Sequence, residues 1–405
     1  RRHAGVRVPV EDRSSDRLVG LIRDRLPLGE TIGVALSGGG DSTALLHLAL
    51  AAGFRVEAVT VDHRLRPESA DEAARVAGVC AKLGVRHAVR VWQHGAVPGN
   101  LMDAARRARM RLIEAWATER GIGHVALGHT RDDQAETLLM GVARSAGIAG
   151  LSGMRPRWGE GVIFHRPLLD AGRDELRGWL QAAGIGWVDD PSNDNTRFTR
   201  IKARQALSAL APLGITAKTV AAVAGHLAQV QAALLAQVRS ASQHLREVAG
   251  ALQIDPALWD EPEEVQRQLV VAAVQWMAGK EYPPRASDIA RLITAMRAGR
   301  EATLAGCRHH DGWLFREARA LGGPVAVGEV WDRRWRVSGA AGTVRALGPE
   351  GLQQCHWRLT GLPREVLAVT PGLWDGDRLI AAPSAAFGDM TAVVLRPFHL
   401  FGLTD

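Results

Sequence analysis

Short apolar runs alternate with amphipathic stretches through the first 183 residues of the chain. The runs fall at 33–36, 56–62, 86–92, 124–129 and 162–169, and helical patterning occupies 68–83, 101–119, 132–143 and 173–183. Strands and helices alternating at this spacing predict a parallel sheet covered by helices on both faces, an α/β architecture. In such sheets ligands sit beyond the carboxyl ends of the strands, so the loops after the apolar runs are where chemistry is expected.

The first of these loops reads Ser37-Gly38-Gly39-Gly40-Asp41-Ser42. Backbone N–H groups of Gly38 to Gly40, together with the following helix N-terminus, suit the pyrophosphate end of a nucleotide, and the Ser37 and Ser42 hydroxyls add donors. A Walker-type loop would close with Gly-Lys-Ser/Thr, whereas here the carboxylate of Asp41 stands where positive charge is wanted. A divalent cation bridging carboxylate and phosphate oxygens resolves the repulsion, magnesium being the ordinary choice. The competing reading is that Asp41 or Ser42 only caps the helix.

Three further segments carry candidate groups. On the 101–119 helix, Leu101, Ala105, Ala108, Leu112 and Trp116 form an apolar stripe, and Arg109 falls inside it while Arg106, Arg107 and Arg111 point elsewhere. An arginine on an inner face needs an anionic partner, unless its stem merely snorkels at the stripe's edge. In "GHTRDDQAETLLM", His129 lies at a strand's carboxyl end, and Asp133 and Glu136 are one helical turn apart on one face. Such a group can hold a cation, bind an amine or move a proton, and it fits an ordinary capping box equally well. Asp62, His63 and Arg66 follow the second strand, where a base or ribose fits, although a polar strand-end loop needs no ligand.

At 405 residues the chain has room for two or three domains. The α/β pattern runs to about residue 212, alanine- and leucine-rich helical patterns fill 213–300, and short β-like runs mixed with glycine, arginine and tryptophan occupy 301–405. The expectation is a catalytic domain over 1–212, a helical domain over 213–300 and a small mixed or β-containing domain over 301–405. No apolar run approaches the roughly 20 residues of a bilayer span, and the basic N-terminal stretch lacks a signal peptide's apolar core, so the expected setting is cytoplasmic, without a membrane. Cys80, Cys307 and Cys355 form no CxxC pair and suggest neither a disulfide framework nor a metal cluster. The net charge of +7, carried almost wholly by arginine, makes nucleic acid a candidate partner, though a GC-rich genome favours the same usage.

The motifs "SGGGDS" (37–42), "VDHRLR" (61–66), "ARRARM" (105–110), "GHTRDDQAETLLM" (128–140), "GLSGM" (150–154), "RPLL" (166–169) and "DPSN" (190–193) occur in this order over about 160 residues. In content and order they resemble the tRNA(Ile)-lysidine synthetase family of the N-type ATP pyrophosphatase (PP-loop) superfamily. The likeness covers the first domain well and the rest loosely, through a helical segment and "TLAGCR" (303–308). It departs from the family at Thr130, in place of a second histidine, at Met110, in place of tyrosine, and at Ile201, in place of asparagine.

The resemblance implies ATP and magnesium as co-substrate and cofactor. Free L-lysine and the isoleucine tRNA with a CAU anticodon would be the partners, and the oligomeric state is left open, a homodimer included. In the implied reaction the wobble cytidine is adenylated with release of pyrophosphate, and the lysine ε-amine then displaces AMP. Carried over, Asp41 binds magnesium and pyrophosphate, Arg109 and His129 contact phosphates or the activated base, and Asp133 and Glu136 orient or deprotonate the amine. Ser37, Gly38, Gly39, Gly40, Ser42, Asp62 and His63 complete the expected ATP site. Arg291, Arg297, Arg300, Arg333 and Arg334 are the expected tRNA contacts in the distal half. The competing readings are a PP-loop tRNA sulfurtransferase, which generally needs catalytic or cluster-binding cysteines, and a tRNA-binding protein with a degenerate loop.

Overall fold

The computed structural model describes residues 13–64, 68–95, 101–188, 199–280 and 282–400. The expected contributions of Arg66 and of the 189–193 segment lie outside these residues. The chain divides into two compact units, Arg1–Gln231 and Ala232–Asp405.

The first unit follows the alternation of the sequence. It runs α1 (Arg13–Arg25), β1 (Thr31–Ala35), α2 (Gly40–Ala51), β2 (Arg55–Asp62), α3 (Ser69–Lys82), β3 (Arg86–Val91), α4 (Leu101–Arg120), β4 (His124–Leu127) and α5 (Arg131–Val142). It continues with α6 (Ile148–Leu151), β5 (Arg157–Trp158), β6 (Ile163–His165), α7 (Arg173–Ala182), α8 (Thr199–Leu210) and the first half of α9 (Ala217–Ala241). The sheet order is β3-β2-β1-β4-β6-β5, parallel except for the edge strand β5. Strand order reverses between β1 and β4, and the carboxyl ends of this pair form the switch-point crevice.

Alternation along β1 divides the core. Ile32 and Val34 pack with Leu18, Leu45, Leu48, Leu176 and Leu180 on one face, and Ala35 packs with Ile113, Trp116 and Val125 on the other. Gly33 has a steric reason: a methyl there would come within 2.9 Å of the Trp116 ring, which lies against the sheet. The α4 stripe is shifted from the sequence expectation, with Ala105, Ala108, Ile113, Trp116 and Ala117 buried and Leu101 exposed.

The second unit departs from the expected division at residue 300. Strands β7 (Leu245–Val248) and β8 (Ala251–Ile254) join β9 (Ala302–Leu304), β10 (Cys307–His310) and β11 (Trp313–Arg316) in one antiparallel sheet of order β7-β8-β11-β10-β9. A boundary at 300 would therefore cut through this sheet. Helices α10 (Glu263–Ala278) and α11 (Ala286–Arg297) share its core through Leu269, Val274, Ile289 and Leu292. Two smaller antiparallel sheets follow, one containing β12 (Val330–Trp331), β13 (Trp335–Gly339) and β14 (Met390–Val394). The turn between β12 and β13 is closed by the Arg334 N–H donating to the Trp331 carbonyl at 3.1 Å.

One helical segment among the described residues, Ala217–His244, is long and apolar enough to cross a membrane by length and composition, contrary to the sequence expectation. Of its apolar residues, Val220, Ala224, Val238 and Ala241 are buried in protein cores, while Val223 and Val230 are exposed.

Candidate functional site

The phosphate loop leaves β1 and turns sharply at Gly38, whose φ of +85° lies in the left-handed region. The Ser42 Oγ accepts from the Ser37 N–H at 3.2 Å and donates to the Gly39 carbonyl at 3.0 Å, fixing the loop as a closed ring. Helix α2 starts with Gly39 as its N-cap and has no side-chain cap, so neither Asp41 nor Ser42 serves as that cap. Asp41 keeps one buried oxygen, Oδ1, without a hydrogen-bond partner. Burial raises its pKa, Asp133 adds to the effect, and Arg173 and Arg177 oppose it.

The loop after β4 meets the phosphate loop directly. A methyl on Gly128 would lie 3.0 Å from the Asp41 carbonyl and from Ser42 Cα, so this close backbone approach favours glycine. Next to it, Thr130 and Asp133 form a capping box: Asp133 Oδ2 accepts from the Thr130 N–H at 2.8 Å and from its hydroxyl at 3.0 Å. The other oxygen, Oδ1, faces Arg173 at 3.3 Å. The capping and ligand-directed readings of Asp133 thus both hold, one oxygen to each. Burial works against its ionisation, but Arg173, the Thr130 amide and Arg200 outweigh it and hold its pKa below the usual range. Glu136 is 1% exposed; its Oε1 accepts from Arg173 at 3.2 Å and from Arg204 at 3.0 Å, and its Oε2 is buried without a partner.

Arg173 is the residue that sequence reasoning missed. Its guanidinium reaches Asp41 at 3.3 Å, Asp133 at 3.3 Å and Glu136 at 3.2 Å, joining the three candidate carboxylates through one cation. It is the first residue of α7, and its own N–H donates to Asp132 Oδ2 at 2.7 Å, which ties α7 to the start of α5. Burial lowers the Arg173 pKa, and the surrounding acids outweigh it and raise it. The only trace in the sequence is position, just after "RPLL" at the start of a helix.

Across from the acids lies a group of arginines. Arg166 donates through Nε to His129 Nδ1 at 3.1 Å and lies 3.9 Å from the Trp158 ring centroid. His129 therefore accepts at Nδ1 and carries its proton on Nε2. Burial pushes its pKa down to about 3, Asp133 opposes this, and Arg166, Arg109 and Arg200 add to it, so the ring is a neutral donor. Arg109 is half-buried, and no carboxylate pairs with it among the described residues. Burial and the like charges of Arg106 and Arg200 lower its pKa, the condition of a cation awaiting an anion.

The second-strand residues split. Asp62 is buried and accepts from the Arg64 N–H at 2.9 Å, a turn anchor rather than a free ligand group. His63 retains a buried, unpartnered Nδ1, and burial and the charge of Arg109 lower its pKa. Ile201 points into the core, while its helix α8 delivers Arg204 to Glu136 and brings Arg200 within 3.9 Å of Asp133. In the second unit, Arg291, Arg300 and Arg333 are exposed, and the Arg297 guanidinium is bound to Gln266 Oε1. Arg334 contradicts its assignment as a surface contact. It is 5% exposed, donates to the Gly250 carbonyl at 2.7 Å and lies 4.2 Å from the Trp276 ring centroid, because the turn before it directs its side chain into the core.

Residues 12–211 match the PP-loop domain family. A tRNA(Ile)-lysidine synthase of Ruegeria pomeroyi is 44% identical over 378 residues, covering 88% of this chain and 89% of its own. Proteins of the same name from Zymomonas mobilis and Rhizobium meliloti are 36% and 35% identical, covering 73% and 92% of this chain and 90% and 87% of their own. The chain belongs to the tRNA(Ile)-lysidine synthase family. The cysteines agree with that membership rather than with sulfur transfer. Burial pushes the Cys80 thiol up to about 11 and the Cys307 thiol up to about 12, so neither supplies a thiolate nucleophile. Members of the family share the PP-loop domain, and here the loop after β1 and the acids of α5 meet at its switch point.

Proposed function

We propose that the protein ligates lysine to the wobble cytidine of the isoleucine tRNA with a CAU anticodon, using ATP and releasing AMP and pyrophosphate. The observation that carries this reading is the meeting of a phosphate loop, the half-buried Asp41 and buried Asp133 and Glu136 on Arg173, and Arg109, which no carboxylate pairs with among the described residues. An anionic triphosphate and a cationic amine are the ligands such a divided field accepts.

The first step is attack of the cytosine 2-carbonyl oxygen on the α-phosphorus, with cleavage of the α–β bond. The loop N–H groups of Gly38 to Gly40 and the guanidinium of Arg109 receive the charge that gathers on the departing pyrophosphate. His129, held neutral, donates from Nε2 to a phosphate or base oxygen. In the second step the lysine ε-nitrogen attacks C2 of the adenylated base and AMP leaves with the oxygen. The ammonium must first lose a proton, and Glu136 Oε2, buried and unpartnered, is the acceptor assigned here, with Asp133 orienting the amine. Arg173 keeps the three carboxylates in register.

Magnesium fits the residues present. Among the described residues no group of three acidic, His or Cys side chains is arranged to hold a metal alone, but Asp41 offers one unpartnered buried oxygen beside the phosphate loop. One carboxylate with phosphate oxygens and water is an ordinary magnesium environment. When bound, the ion supplies positive charge to the phosphate oxygens. Arg291, Arg300 and Arg333 serve as tRNA phosphate contacts, and the reaction takes place in the cytoplasm.

The test is nucleoside analysis of that tRNA after incubation with ATP and labelled lysine, with pyrophosphate release followed in parallel. Lysidine should appear, and pyrophosphate should be released with tRNA even when lysine is withheld. A chain that binds tRNA without releasing pyrophosphate would refute the enzymatic reading. Glu136→Gln should slow lysine transfer at least as much as adenylation; normal transfer from a preformed adenylate would reassign the acid to the metal.

A further inference from the structure

The second unit contains a cavity of about 620 Å³ that the reaction does not use, open to solvent beside the end of α10. Its lining includes the apolar side chains of Leu321, Val325 and Val330, and its charged residues are Lys280, Arg316, Asp332 and Arg333. Asp332 is fully engaged: Arg316 donates to it at 2.8 and 3.0 Å, and the Gly322 N–H at 3.1 Å. That buried pair is neutral. Lys280 and Arg333 are both exposed, neither pairs with a carboxylate among the described residues, and they give the cavity two positive charges.

The backbone supplies a second, independent observation. Asp332 and Arg333 have φ values of +47° and +60°, the signature of a turn whose central positions favour asparagine and glycine. A glycine at 333 would relieve this conformation. The chain instead places there an arginine whose stem packs over Gly279, beside Lys280: a methyl on Gly279 would meet its Cβ at 3.5 Å. Strain accepted to present a charged side chain at a cavity rim points to a ligand.

We propose that this cavity receives one unpaired nucleotide of the tRNA, with its phosphate between Lys280 and Arg333 and its base against Leu321, Val325 and Val330. The proposal rests on the reading of the chain as a tRNA-modifying enzyme. An apolar pocket edged by two cations matches the division of a nucleotide into a stacking face and an anion, and RNA bases become available to such pockets only where they are unpaired. A free mononucleotide presents the same chemistry, and the test separates the two sources.

Full-length Lys280→Ala, Arg333→Gly and the double variant are compared with the parent for tRNA binding over a salt series. The double variant should bind tRNA about tenfold more weakly, with a salt slope shallower by roughly 0.7 to 1.8 for one or two phosphates lost. Arg333→Gly should melt no lower than the parent. Unchanged tRNA affinity with a lowered melting temperature would overturn the proposal and leave the two cations as a cap on the α10 end. Benzoylphenylalanine in place of Val330 should crosslink an unpaired nucleotide even in excess AMP. Crosslinking confined to paired nucleotides, or abolished by AMP, would likewise overturn it. Absence of lysidine formation by the parent protein would strike the functional reading, whereas the crosslink reports on the cavity by itself.

Discussion

In the unit of residues 1–231, Arg109, Arg166 and Arg200 crowd one another, and like charge and burial together lower the pKa of Arg109 and Arg166. In the unit of residues 232–405, Arg316 is paired with Asp332, whereas Arg334 donates to the Gly250 carbonyl and lies against the Trp276 indole with its Nε buried and unpartnered, and burial pushes its pKa down to about 10. The same side chain is left short of anions at Arg109, matched by a carboxylate at Arg316, and held by a carbonyl and an indole at Arg334. Where the fold does not pay for a buried charge, the counter-charge is expected from a ligand. Where it does, the charge is architecture.

The sharpest way to break this contrast is at Arg173, which belongs to both descriptions. Arg173→Ala leaves Asp133 and Glu136 buried with reduced compensation and should cost about 3–5 kcal/mol of stability, as removal of one partner of a buried pair does. It should also abolish pyrophosphate release; urea denaturation alongside a release assay checks both. A variant that keeps parental stability would show that the acids do not depend on it.

Asp41→Asn should do the reverse, lowering pyrophosphate release by about 1,000-fold, in the range of losing a major electrostatic contact to the transition state. Its melting temperature should be equal to or above the parent's, because the carboxylate's ionised form is disfavoured by burial. Release within tenfold of the parent would remove the proposed metal role. Arg334→Ala is the architectural counterpart, expected to destabilise by about 2–4 kcal/mol through an orphaned carbonyl and a lost cation–π contact. Its Michaelis constant for ATP should stay the same, and a change in that constant with stability intact would blur the contrast.

The smallest expected effect concerns His165. Burial, with His124 and Arg157 adding, pushes its pKa down to about 4, and its Nε2 lies 3.0 Å from His124 Nδ1. The folded state therefore favours the neutral ring while the unfolded chain binds a proton near the ordinary value. This contribution is fully present above pH 6.5 and is lost as pH falls from there through about 4. His165→Gln should shift acid unfolding to lower pH and leave lysine transfer at neutral pH unchanged.

The sheet and its loops were legible because period-two apolar runs and glycine-rich breaks are local features. The 33–36, 56–62 and 86–92 runs became β1 to β3 within two residues at each end. Asp41, Asp133, Glu136 and Arg109 stand out in the sequence for the same reason, as oddities within a local pattern. Arg173 does not stand out, because nothing near it in sequence marks an arginine at a helix start as unusual; its three acids come from two other helices, α2 and α5. The boundary at 300 failed on the same ground, since β8 and β11 pair across some sixty residues and no local pattern announces a partner so distant. Arg334 was misjudged because "WDRRWR" reads as a basic surface, whereas the two left-handed residues at the turn send Arg333 outward and Arg334 inward.

The contact at Gly128 bears on how the two half-reactions are kept in step. With backbone touching backbone between the loop that cradles phosphate and the loop that leads to Asp133 and Glu136, there is no compressible side chain to absorb a shift of either. In the proposed reaction, a shift of the phosphate loop on pyrophosphate departure would pass through this contact to the segment that carries Asp133 and Glu136, tying release of one product to presentation of the next reactant.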